Sequence, residues 1–281
     1  MRRQILEHCL HEPIEPGSKH LFADFPLSRL TSKAIKVLRN RKLDTPEAAN
    51  SRVKAFRQVF AFAIEEEDER GNSLMDRNPA KDVAYLEGSA EGFHAWTLDE
   101  VEQYEERHPI GTKARLALAL LLYMSQRRSD TIRFGKQHVR VNSNAVEDDF
   151  ERALIFTQFK GRKRKPVTLE IPIIPQLWEI IEQSPTDDLT FLVTEFGLPF
   201  SDAGFGNKMR QWCDEAGLPQ CSAHGLRKAS SARLAEFGCT DREIMAITGH
   251  KTAKEVTRYT RSANQKVLAK AAMKKLVQNA G

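Results

Sequence analysis

The run from Leu116 to Met124 is the longest apolar stretch in the chain, and it constrains the fold more than any other segment. It is only about half a membrane span long. It therefore reads as part of a buried helix, Thr112 to Met124, that is largely apolar. Such a helix has no polar face to give to water, so other elements must pack around it and it becomes the central core element of a domain. That domain lies beyond the best linker candidate, Glu87-Gly88-Ser89-Ala90-Glu91-Gly92, and opens with the capping box Thr97-Leu98-Asp99-Glu100.

The expected division is a small helical unit over 1–88, a linker over 89–96, a second domain over 97–262 and a tail over 263–281. With 281 residues the chain can bury two cores. In the first unit, Ser32 to Arg41 carries a short apolar stripe. Thr45-Pro46-Glu47 starts a helix whose Val53, Phe56, Val59, Phe60 and Ile64 face inward to about Glu67. In the second, Ala153–Thr157 and Val167–Ile171 read as strands of a hairpin, with a further short strand at Leu189–Val193. Ser129 is a possible helix cap, Pro175–Ile181 reads as helical, and a helix runs from about Asn207 to Ala216. The fold class is mainly α with a small antiparallel sheet.

Charge is more telling in its distribution than in its total of +5. Arg29, Lys33, Lys36, Arg39, Arg41 and Lys42 occur with no acid between them, and Lys160 to Lys165 is almost wholly basic. No acid follows Glu255. Several separate acid-free clusters point to a polyanion. Arg52, Lys54 and Arg57 lie off the apolar stripe of their helix, where they meet phosphates or water. Cys9, Cys213, Cys221 and Cys239 have neither CxxC spacing nor disulfide-scaffold density, so they read as buried thiols in a reducing compartment. Cys213, Cys221 and His224 fit no zinc pattern, and no metal is expected. The amino terminus lacks a signal peptide's apolar core, and a cytoplasmic location is expected.

His224 and Arg227 share a helix face, and an arginine fork suits a phosphate. Taken singly, each is an ordinary structural pair or surface charge. Arg127 follows the apolar helix, Lys160 lies in the basic hairpin, and Tyr259 follows His250 by nine residues. A lysine can protonate a leaving alkoxide, whereas arginine is too weak an acid. In order, Arg127, Lys160, His224 with Arg227, Gly249-His250 and Tyr259 resemble the signature of the tyrosine recombinases, or phage-type integrases. Asp130, three residues after Arg127, fits the family's acidic position, and Gln158 matches its Gln-x-Lys. Two departures stand out. Ser125-Gln126 replaces the usual Gly-Leu before the arginine, which makes Arg128 a rival to Arg127. The lysine turn is not Lys-Thr-Gly, which leaves Lys163 as an alternative to Lys160.

The resemblance implies a helical core-binding domain, here short by about one helix, joined to a catalytic domain of the DNA breaking-rejoining fold. Its implied chemistry is attack by Tyr259 on a phosphodiester to form a 3′-phosphotyrosyl link, with Arg127, Arg227 and His250 holding the phosphate. Lys160 would protonate the 5′ oxygen, His224 would steer the tyrosine proton or the phosphate, and Asp130 would support the site. No ATP, metal or other cofactor is implied. The implied partner is double-stranded DNA, contacted through the clusters above and through Arg162, Lys163 and Arg164. Four protomers on paired sites are implied, monomeric or weakly associated without DNA, with DNA-bending or excision accessory factors and no membrane. The tail would dock on a neighbour or fold back in cis. The biological role implied is integration and excision of a bacterial prophage or genomic island. Alternatives are a type IB topoisomerase-like nicking and closing enzyme, a DNA-binding protein that has lost catalysis, and a basic helical interaction protein.

Overall fold

The computed structural model describes residues 2–88, 92–142 and 150–257, and beyond them 260, 265, 269–270 and 272–274. Tyr259 and most of the 263–281 tail lie outside the described residues. Residues 1–92 and 93–281 form two compact units, each with its own core.

In the first unit, helix α1 (Arg2–Leu10) contributes Cys9 to the core, α2 (Ser32–Asn40) Ile35 and Leu38, and α3 (Pro46–Glu65) Val53, Phe56 and Phe60. Ala80 and Val83 close it from beyond α3. Helix α1 is not expected from periodicity, because only Ile5, Leu6 and Cys9 make its stripe among charged neighbours. Helix α3 stops two residues before the expected Glu67. Its Ile64 is exposed, since Glu66 turns extended and Glu67 bridges to Ser73.

The second unit begins as its capping box requires. Thr97 Oγ1 accepts from Glu100 N (3.2 Å) and the Glu100 carboxylate accepts from Thr97 N (2.8 Å), opening α4 (Leu98–Arg107). Helix α5 (Lys113–Met124) is buried along nearly its whole length, as a helix with no polar face demands. A short α6 (Arg128–Thr131) follows, with Arg127 rather than Ser129 at its N-cap. Then come β1 (Val139–Val141), β2 (Arg152–Thr157) and β3 (Thr168–Pro172) in an antiparallel sheet of order β1-β2-β3. Leu154 stands opposite Val139 on one side and Ile171 on the other, and Leu154, Phe156 and Ile171 are buried in the core.

Helices α7 (Pro175–Glu182), α8 (Asp202–Glu215), α9 (Ala223–Glu236) and α10 (Asp241–Thr248) complete the unit, and α5 packs against α7 and α9. Helix α8 starts five residues earlier than expected, at a Ser201 cap whose Oγ accepts from Gly204 N. Leu189–Val193 is not a strand. Its Phe191 and Leu192 are buried, Phe191 N donates to Phe134 O (2.7 Å), and only an isolated bridge joins Val193 to Pro199. Among the described residues no helix is long and apolar enough to cross a membrane.

Candidate active site

Three chain breaks bring the chemistry together. The first ends α5, where Ser125 takes a left-handed conformation (φ 51°), unusual for a residue with a Cβ. Glycine suits that position, and the family resemblance has glycine there. The turn buries Gln126 and sends Arg127 to the wall of a cleft of about 440 Å³. The second break starts α9. Ser222 Oγ accepts from Gly225 N, which places His224 in the first turn and Arg227 one turn further along the same face. Gly225 is required because a Cβ there would strike His94 O and the Trp96 ring. The third ends α10, where Gly249 (φ 68°) turns the chain to deliver His250. A Cβ on Gly249 would stand 2.6 Å from Gln158 Nε2.

Arg127, Arg128, Arg210, His224 and Arg227 line the cleft with one acid, Asp202, so its charge suits an anion. Arg128 reaches across α8 at Gly206, where a Cβ would meet its guanidinium. Arg227 is buried and held in a fixed pose. Its Nη1 donates to Ser125 O (2.7 Å), and its Nη2 donates to Thr248 O (2.8 Å) and to His250 Nε2 (3.0 Å). The same Thr248 carbonyl accepts from Gln158 Nε2 at 3.0 Å. Gln158 Nε2 also donates to Gln126 Oε1 (2.9 Å), while Gln126 Nε2 donates to Met124 O and Ile247 O. Two buried amides thus tie the Arg127 loop, the Lys160 hairpin and the His250 box to one another. Gln126 was noted in the sequence only as a departure before Arg127 and was given no role, since one glutamine after an apolar helix carries no periodic signal.

The protons of His250 are fixed by its partners. Thr248 Oγ1 donates its only hydrogen to Ile244 O (2.8 Å), so it accepts from His250 Nδ1 (2.8 Å). Nε2 is then a lone pair facing Arg227. Burial first, and then the Arg227 charge, bring the His250 pKa down to about 4. An unfolded imidazole takes its proton near pH 6.5 and this one only near 4, so stability is present above that window and lost as pH falls through it. The expected loss by pH 4 is roughly 2–3 kcal/mol. It is measurable as a urea-midpoint difference between wild type and His250→Gln that narrows on acidification. A difference independent of pH would contradict the assigned tautomer.

His224 is exposed on the cleft wall with one ring face against Phe93 (centroids 4.8 Å apart). Desolvation on its covered side, and then the cations Arg227, Lys228, Arg127 and Lys160, lower its pKa. Lys160, Lys163 and Arg164 are exposed on the turn after β2. Asp130 is buried, and burial pushes its pKa up against the pull of Arg127, Arg227 and Arg133. Its Oδ1 accepts from Phe159 N (2.6 Å), so it holds the base of the lysine turn.

The basic residues of the first unit divide into two groups. Arg39 donates to Ala84 O, Arg41 to Glu12 and Pro13 O, Arg52 to Glu12 and Leu38 O, and Arg57 to Ala80 O and Val83 O. These four guanidiniums are internal ties, because the unit's loops leave carbonyls that the helices do not satisfy. Arg29, Lys33, Lys36, Lys42 and Lys54 stay exposed. Cys9, Cys213 and Cys221 are buried free thiols. His94, Glu100 and Cys221 lie within 4.8 Å of one another, but Glu100 already accepts from Thr97 N, Gln220 and His94.

Residues 97–266 match the profile of the phage integrase family. The chain belongs to that family. Among phage integrase relatives, the virulence plasmid integrase pGP8-D of Chlamydia muridarum is 30% identical over 145 residues, 47% of this chain and 41% of that protein. The chain therefore spans about two fifths of the length of the curated relative it matches. Among solved structures, a lambda integrase dimer bound to a COC′ core site has a TM-score of 0.65 at 18% identity, covering 92% of this chain and 85% of that one. A lambda integrase tetramer bound to a Holliday junction has a TM-score of 0.61 at 18% identity, covering 92% and 69%. At such identities the likeness establishes the fold: the mainly helical integrase architecture with a small antiparallel sheet.

Proposed function

We propose that this chain is a site-specific DNA recombinase that cuts and rejoins duplex DNA through a 3′-phosphotyrosyl intermediate. One observation carries the reading: Arg127, His224 and Arg227 line one cationic cleft, with His250 bonded to Arg227 and the Lys160 turn pinned beside them by Asp130. The Tyr259 phenolate oxygen attacks phosphorus and the bond to the 5′ oxygen breaks. Arg127 and Arg227 stabilise the charge that grows on the non-bridging oxygens, which preorganised donors do at little reorganisation cost. His224 takes or steers the phenol proton, and Lys160 gives a proton to the departing 5′ oxygen. The ester keeps the bond energy, so a 5′-hydroxyl of another strand reverses the step without ATP.

Double-stranded DNA is the partner, positioned by Arg29, Lys33, Lys36, Lys42 and Lys54 and by the 160–165 turn. The DNA-bound lambda integrase dimer and tetramer support assembly on paired sites, with the tail as the docking element between protomers. The reading extends to integration and excision of a mobile element in a bacterial cytoplasm. Nicked suicide duplexes carrying candidate core sites test it. A denaturation-resistant protein–DNA adduct at the 3′ phosphate is the expected result, and an adduct at the 5′ phosphate would overturn it.

A further inference from the structure

Lys160 is proposed above as the proton donor, yet it stands on an exposed turn next to a second exposed lysine, Lys163. What distinguishes the two is the residue before Lys160. Phe159 is fixed at its backbone, where its N–H meets Asp130 Oδ1 at 2.6 Å. It is also fixed at its ring. Arg133 Cζ lies 4.0 Å and Arg162 Cζ 4.2 Å from the Phe159 ring centroid. Both distances lie within cation–π range, so the one ring takes two guanidiniums. Arg133 is itself held by Ser129 O and by Asp202 at the start of α8 (3.4 Å), so one partner of the ring belongs to the rigid unit. The other partner, Arg162, belongs to the turn.

We propose that Phe159 is a positioning residue: the Arg133–Phe159–Arg162 stack fixes the base of the turn and aims the Lys160 ammonium at the leaving 5′ oxygen. This rests on the recombinase reading. Lysine loses much rotamer entropy when ordered, and a misplacement of about 1 Å costs as much as 10²-fold in rate. Lys160 is one residue from a doubly anchored point, whereas Lys163 lies beyond Gly161 (φ 87°) on the outer turn. Arg162 thereby has a role on the protein itself, besides the phosphate contact expected of it.

Single-turnover cleavage of two matched suicide duplexes tests this, one with the ordinary bridging oxygen and one with a bridging 5′ sulfur. The departing thiolate needs no proton, so the sulfur duplex bypasses Lys160. Phe159→Leu is expected to slow the oxygen duplex about 10-fold or more and the sulfur duplex by no more than about twofold. Phe159→Tyr keeps the ring and should restore the oxygen rate. Arg162→Leu, at an exposed position that leaves the core untouched, should repeat the defect in weaker form. Equal slowing of both duplexes by Phe159→Leu, or no slowing of either, would overturn the proposal. If wild type forms no adduct with either duplex, the recombinase reading fails instead.

Discussion

Tyr259→Phe is expected to leave duplex binding within about twofold, because phosphate contacts dominate affinity, and to abolish the covalent adduct. The reason is the family resemblance, in which Tyr259 stands nine residues after His250. The chain has four tyrosines. Tyr104 is fully buried in the core beside Trp96, and burial drives its pKa far up, so its phenol is withheld from DNA. Tyr85 belongs to the first unit, where it accepts from Arg57 and lies under that guanidinium. Tyr123 sits in the last turn of α5, ahead of the left-handed Ser125. Only Tyr259 follows the His250 box. Gel-shift titration and a denaturing gel on the same samples separate binding from chemistry. An adduct that persists in the phenylalanine variant would move the nucleophile elsewhere.

Arg227→Lys has the second large effect, and it should act on stability and rate together. The guanidinium reaches Ser125 O, Thr248 O and His250 Nε2 at once from a buried position. A lysine ammonium is a point charge that cannot span that fork. Leaving buried acceptors unpaired is expected to cost about 2–4 kcal/mol, read as a fall in the urea midpoint. Loss of a preorganised donor to the phosphate is expected to slow adduct formation by about 10²–10³-fold under conditions where the variant is folded. A variant that loses stability but cuts at the wild-type rate would make Arg227 a purely structural residue.

The sequence was most legible where chemistry and periodicity coincide. The apolar run at Leu116 could only be a buried helix, and Thr97 with Glu100 could only cap one. The order Arg127, Lys160, His224, Arg227, His250, Tyr259 pointed to the family because the set recurs in one sequence order, although each residue alone is ordinary. The second hairpin strand was legible through its alternation. Leu189–Val193 was misleading because a buried apolar run satisfies its few polar groups singly, without a partner strand. Arg39, Arg41, Arg52 and Arg57 could not be told from Lys36 or Lys54 by charge alone. Which of them faces a carbonyl depends on loops folded elsewhere, at Glu12 and Ala84. Gln126 and Phe159 were silent for the same reason, since their partners come from distant segments.

The carbonyl of Thr248 joins two donors from distant parts of the chain. Arg227 reaches it from α9, and Gln158 from the position that follows β2. Each donor also has a partner of its own, Ser125 O for Arg227 and Gln126 Oε1 for Gln158, so the shared oxygen links two separately anchored groups. A change at Gln158 would therefore reach Arg227 through a single backbone oxygen.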